Sequence, residues 1–220
     1  MTEKELIGKY TIHRVKWTEL CHKEKLTEEF IEKYQNELTW NNICVSQRLS
    51  EEFIRKHMNE VNWFFVSCFQ TLSEDFIREF ADKVNWYLIS ERQKLSEEFI
   101  RKFQYKIVWD IIAYSQKLSE DFIRKFADKL DWNDISRYQC LSEDFIREFS
   151  DKVDWEYISL YQNLSEKFIR EFQNYVVWDC IIMKQKLSDD FIKEFKDILP
   201  LKKVLKYQNI SDNMKKELFK

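Results

Sequence analysis

The chain is nearly devoid of glycine, proline and alanine, and the shortages remove whole chemistries. Gly8 is the one glycine among 220 residues, so the glycine-rich loop that cradles phosphate in Rossmann and P-loop proteins is excluded. Histidine is scarce as well. His13, His22 and His57 all lie in the first quarter of the chain, which leaves little for acid–base chemistry elsewhere. No apolar run approaches the roughly 18 residues of a membrane-spanning helix, and the opening MTEKELIGKY holds no signal-peptide core. The expectation is a cytoplasmic protein that touches no membrane. Cys21, Cys44, Cys68, Cys140 and Cys180 are odd in number, widely spread and without a C-x-x-C pair. That spacing fits neither a disulfide framework nor a structural zinc site; it fits free thiols in a reducing compartment. A net charge of -3 argues against nucleic acid held mainly by bulk charge. No metal, cofactor or small-molecule substrate is implied.

What is present is a foldable composition, 44% apolar and 34% charged, arranged as a repeat. Tryptophan falls at 17, 40, 63, 86, 109, 132, 155 and 178, a constant step of 23 residues that uses all eight tryptophans. Leu-Ser/Thr steps identically, from Leu26-Thr27 to Leu187-Ser188. So do Phe-Ile, from Phe30-Ile31 to Phe191-Ile192, and Gln, from Gln47 to Gln208. No insertion interrupts them. Eight full units run from Leu26 to Asn209.

In the unit Leu72–Lys94, LSEDFIREFADKVNWYLISERQK, Ser73 is a good N-cap and Glu74 and Asp75 suit the first turn of a helix. Leu72 before the cap and Ile77 form a hydrophobic staple. Phe76, Ile77, Phe80 and Val84 recur at helical spacing, with Arg78, Glu79, Asp82 and Lys83 on the opposite face. Glu74–Arg78, Glu97–Arg101, Glu120–Arg124 and Glu143–Arg147 are i,i+4 pairs in the favourable order. This pattern predicts a helix A of about eleven residues. Asn85, or Asp131 and Asp154 in other units, offers a second cap. Trp86, Ile89, Ser90 and Gln93 then share one face of a shorter helix B.

Helices this short do not stand alone in water. Each hairpin leaves an apolar stripe that only the next can cover, so the expected fold is an all-α solenoid, elongated and curved, of stacked helix-turn-helix hairpins. Residues 1–25 would form an N-terminal cap and partial repeat, 26–209 the eight repeats, and 210–220 a C-terminal capping helix, all in one continuous domain. Trp17, Leu20 and Cys21 hold the phases of a leading helix B. Pro200 and Leu201 open a last helix B, and Ile210, Ser211, Met214 and Leu218 sketch the final helix A.

The repeat Leu-Ser-Glu-Asp-Phe-Ile … Trp-x-x-Ile-Ser … Gln resembles a helical repeat of giant-virus and phage proteins, over residues 26–209. In general plan it is similar to tetratricopeptide and HEAT arrays. The resemblance implies a solenoid in a viral or phage setting, and it supplies no catalytic residues. The bias towards Phe, Ile, Tyr, Asn and Lys, typical of AT-rich coding sequence, points the same way.

The candidate residues divide by phase. Trp40, Trp63, Trp86, Trp109, Trp132, Trp155 and Trp178 face helix A and read as core. Gln93, Gln116, Gln139 and their equivalents sit on the buried face of helix B, where an unpaired amide would cost about 1–3 kcal/mol. Each should bond backbone in an inter-helix turn of its own or the next unit. Ser50, Ser73, Ser96, Ser119, Ser142 and Ser165 read as caps, not nucleophiles. Ser67, Ser90, Ser136 and Ser159 would let helices approach, with Cys21 and Cys44 in the same column too far apart for a disulfide. A Cys21/His22 metal site has no counterpart at Cys44. Val108 and Val177 replace the second cap, each following a Gln (Gln104, Gln173). That recurrence suits either an ancestral three-unit duplication or two contact points.

The outermost phases of helix B carry Phe65, Leu88, Ile111, Tyr157 and Cys180, then Val45, Cys68, Tyr114, Leu160 and Met183. Either curvature buries these side chains, or they line an apolar groove on a concave side. The leading reading is a non-enzymatic scaffold that binds a protein partner, or its own copy, through Phe65, Leu88, Ile111, Tyr114, Tyr157, Leu160 and Met183. The alternative is a single-stranded nucleic-acid reader using Tyr87, Tyr114, Asn133 and Arg137. Glu91, Asp110, Asp134, Glu156 and Asp179 at the same phases oppose it.

Overall fold

Ser73 sets the pattern of every helix A. Its hydroxyl accepts the Phe76 N–H at 3.1 Å from an extended backbone, and Glu74–Glu79 follows as helix. The computed structural model describes Gly8 and residues 17–218. Eighteen helices and no strand occur among the described residues, six-residue helices A alternating with seven-residue helices B until the last, Asp212–Leu218. The chain divides into two units, Met1–Val108 and Trp109–Lys220. In the first, helices B are Trp17–Lys23, Trp40–Ser46, Trp63–Phe69 and Trp86–Arg92, and each packs on the next. In the second, Trp109–Ser115, Trp132–Tyr138, Trp155–Tyr161, Trp178–Lys184 and Leu201–Tyr207 stack in the same way. Within each unit the architecture is a solenoid stack of hairpins.

Helix A ends sooner than its apolar spacing predicts. At Phe80 the backbone leaves helical geometry (φ -106°, ψ 31°), and one wide turn follows, closed by the Val84 N–H on the Phe80 carbonyl at 3.1 Å. Two outside bonds support the break. An uninterrupted helix would join the Asn85 N–H to the Ala81 carbonyl. Here the Trp86 indole N–H takes that carbonyl at 2.8 Å, and the Asn85 N–H goes to Ser67 Oγ in the preceding hairpin at 2.9 Å. The turn keeps Phe80 and Val84 buried while reversing the chain.

The core is a column of repeated side chains. Phe76 and Ile77 of helix A and Ile89 of helix B are fully buried, and so are their equivalents Phe122, Ile123 and Ile135 in the second unit. Each such side chain contributes about 1.5–3 kcal/mol, and the contribution recurs at every hairpin. At the far end Pro200 (φ -70°) precedes Leu201–Tyr207, and Ile210 and Met214 bury the last helix against its neighbour while Lys215 and Lys216 stay exposed. At the near end Leu20 and Cys21 are buried in the leading helix B. The cap expected within residues 1–25 falls, over 1–7 and 9–16, outside the described residues.

Candidate functional site

The glutamine column is a backbone clamp. Gln93 Nε2 donates to the carbonyls of Ser67 (3.2 Å) and Gln70 (2.8 Å), and its Oε1 accepts the Leu72 N–H at 3.0 Å. Gln139 repeats this with Ala113, Gln116 and Leu118, and Gln162 with Ser136, Gln139 and Leu141. Both amide hydrogens and one lone pair of the amide oxygen are used on the turn that joins helix B to the next helix A. That turn opens the glutamine's own hairpin. The donated bonds run to the preceding unit, not the following one.

The serine column of helix B does more than allow close approach. Ser136 Oγ donates to the Trp132 carbonyl at 2.7 Å and accepts the Asp154 N–H of the next unit at 2.9 Å. Ser67, Ser90 and Ser159 do the same for Asn85, Val108 and Val177. In the same column Ile182 has no oxygen to offer, and the residue it would serve is Pro200, which has no N–H. Cys44 stands there too, and burial pushes its thiol up, with the Asn62 N–H pulling it down. Burial also raises the Cys21 thiol, whose Sγ lies 3.2 Å from Ser46 Oγ. His22 is exposed, with Nδ1 2.7 Å from the Thr18 carbonyl. No cluster of three metal-ligating side chains occurs among the described residues. His57, in the place that Phe80 fills elsewhere, packs on Trp40 and Phe53, and its buried Nε2 has no hydrogen-bond partner among the described residues.

Helix A carries a second ladder. The Ser73 N–H donates to Glu51 at 2.6 Å and its hydroxyl to the other carboxylate oxygen at 3.0 Å, a pattern repeated by Ser142 N–H on Glu120 and Ser165 N–H on Glu143. Arg55, Arg124, Arg147 and Arg170 reach forward to Glu79, Glu148, Glu171 and Glu194. The expected i,i+4 pairs form at Arg101, Arg124 and Arg147, whereas Arg78 turns to Asp75. The arginines of helix A are thus engaged in internal ion pairs.

The tryptophans are half-buried, not enclosed as the core reading had them. The Trp63 ring lies 4.8 Å from Phe80, and Trp155 4.9 Å from Phe172, within each hairpin pair. Lys83, Lys129 and Lys152 cover the outer faces of Trp63, Trp109 and Trp132. The column is spoken for within the chain.

The outward face of helix B departs from its sequence reading. Leu88 (7% exposed), Ile111 (3%) and Cys180 are buried, and Phe65, Tyr157 and Leu160 are half-buried. Leu88 and Ile111 are therefore core, not docking residues. A helix in a stack is covered by helix A beneath and by helices B on its flanks, so one flank of the supposed outer face closes. Tyr114 and Met183 stay exposed as expected. The most exposed aromatics of helices B occupy other phases: Phe64 (52%), Phe69 and Tyr87 in the first unit, Tyr138 (49%) and Tyr161 (47%) in the second. The sequence signal was there, as an aromatic recurring at Phe69, Tyr138, Tyr161 and Tyr207, one residue before the clamp glutamine.

In the second unit these side chains gather round one cation. The Arg137 guanidinium sits 5.0 Å from the Tyr138 ring, 5.5 Å from Tyr157 and 5.7 Å from Tyr161. Tyr114 lies 6.2 Å from Tyr138. Asp110, Asp134 and Glu156 stand on the same helices. Burial, then Asp131, pushes the Asp134 carboxyl above its usual range, with Arg137 pulling it down. Tyrosine, arginine and methionine at the surface are the side chains that interfaces favour.

Compared with protein-family models, curated proteins and solved structures, the chain matches none. No helix among the described residues is long and apolar enough to cross a membrane.

Proposed function

We propose that this chain is a non-enzymatic interaction scaffold that binds a protein segment along the exposed face of its helices B. The observation that carries the reading is the set of large side chains left in solvent on that face: Phe64, Phe69 and Tyr87 in Met1–Val108, and Tyr114, Tyr138, Tyr161 and Met183 in Trp109–Lys220. Exposed apolar area in runs is the usual mark of a binding surface. The polar columns support the same reading, because Gln, Ser, Glu and Arg are consumed in joining one hairpin to the next. Cytoplasmic residence in a virus- or phage-infected host, which the repeat's resemblance implies, belongs to the same proposal.

The test is capture from the native host with the wild-type chain and with Tyr138→Asp/Tyr161→Asp. A partner retained by the wild type and lost from the variant, at equal helicity by circular dichroism, supports the scaffold. Equal capture by both disposes of it. The stacked tyrosines around Arg137 also favour a second reading, a platform for single-stranded bases, which Asp110, Asp134 and Glu156 oppose by charge. Absorbance at 260 nm carried through purification would favour the second reading.

A further inference from the structure

Resting on the scaffold reading, we infer that the helix-B face formed by Trp109–Ser115, Trp132–Tyr138 and Trp155–Tyr161 docks a segment of a partner protein bearing arginine or lysine side chains. The first ground is the cage itself. Tyr138, Tyr157 and Tyr161 already hold a guanidinium, that of Arg137, at cation–π distance. Tyr138 and Tyr161 are still about half exposed, so ring surface remains for an incoming cation. The second ground is charge. Asp110, Asp134 and Glu156 line the same face, and none makes an ion pair with a described residue, while the arginines of helix A are matched by carboxylates within the chain. Asp179 is satisfied by Lys203 at 2.7 Å. Arg137 is the single cation on Trp109–Ser115, Trp132–Tyr138 and Trp155–Tyr161, whereas Lys184 and the lysines of Leu201–Tyr207 make the later helices B basic.

Asp134 is the most informative of the three. Its phase of helix B is held by the buried Ile111 and the half-buried Tyr157 in the adjacent hairpins, and Asp134 is itself half-buried. A carboxylate at that position is partly desolvated, and Arg137 offsets this in part without forming an ion pair with it. A partner's guanidinium or ammonium would supply the missing charge, and the flanking tyrosine faces would hold its stem. An acidic segment or a nucleic-acid phosphate would meet three unmatched carboxylates instead. The face of Met1–Val108 carries Phe64, Phe69 and Tyr87 without that acidic row, so the inference is confined to the second unit.

The experiment uses the full chain and three fluorescein-labelled peptides of equal length, alternating Gly with Arg, with Glu or with Leu, read by anisotropy at physiological salt. The arginine peptide should bind, and its affinity should fall at least about tenfold in Tyr138→Ala/Tyr161→Ala and in Asp134→Asn. Asp134→Asn guards against loss of fold, since removing that charge should raise the melting temperature. Glu98→Gln, on helix A, should leave binding unchanged; an equal loss there would reduce the effect to bulk charge and overturn the inference. Binding of the glutamate or leucine peptide in place of the arginine peptide would overturn the inference and leave the scaffold reading standing. If no peptide binds, the inference falls, while the scaffold reading is decided by the capture experiment.

Discussion

A single hydroxyl decides whether one hairpin is hydrogen-bonded to the next through the helix-B column. Where Ser136 accepts the Asp154 N–H, the second cap is seated; at Ala113 there is no oxygen to accept from Asp131. Ala113→Ser should therefore stabilise the chain by about 1 kcal/mol, and Ser136→Ala should destabilise it by about 1–3 kcal/mol. Chemical denaturation of the two variants checks both signs. Asp134 acts in the opposite sense. Its folded-state affinity for protons is raised by burial and Asp131, so the ionised form is disfavoured by folding. The penalty is complete above the folded value and vanishes below the unfolded one. Asp134→Asn should melt higher than wild type at neutral pH, and the gap should close as pH falls through and below the raised aspartate range. A gap that widens on acidification would contradict the assigned environment. At this scale the caps, and the bonding of the buried amides to turn backbone, were legible in the sequence, because Ser, Asn, Asp and Gln have few ways to be satisfied in a helical turn; that the amides donate to the preceding unit was not. The bonds of Ser136 to Asp154 and of Ser142 to Glu120 were not, because they join residues a whole hairpin apart.

The turn from helix B to helix A is the element that the glutamine holds. Gln162 satisfies the Leu141 N–H and the Ser136 and Gln139 carbonyls at 3.0, 3.0 and 2.8 Å. Leucine would fill much the same volume and satisfy none of them. Each orphaned buried group costs about 1–3 kcal/mol, so Gln162→Leu should lose at least about 3 kcal/mol. Calorimetry measures it, and an unchanged melting temperature would remove the glutamine from its structural role. Helix A is shorter than its apolar spacing predicts for a related reason. Apolar spacing continues through Val84, but the Trp86 indole and Ser67 take over the backbone groups that a longer helix would use. Spacing reports which side chains are buried, and it is blind to side chains that compete for the main chain.

At the scale of the whole molecule the bonds between hairpins all recur at one step. Gln to carbonyl, Ser to cap, Glu to Ser and Arg to Glu join residues of adjacent units, and each pattern recurs at the 23-residue step wherever those residues are kept. Deleting residues 141–163 would bring Gln139 to the place of Gln162 and Ser136 to that of Ser159. The shortened chain should keep its helicity per residue by circular dichroism and lose only a few degrees of melting temperature. Deleting ten residues from the same region should abolish the register and much of the helicity. Local chemistry read from the sequence determined the repeat, the two caps, the identity of the buried stripe and the helical character of the described residues, since each depends on neighbours within a turn or two of the same helix. Only the tertiary structure decided that Leu88 and Ile111 are core while Tyr138 and Tyr161 meet solvent. Solvent exposure on helix B is set by the flanking hairpins, whose position no single helix encodes.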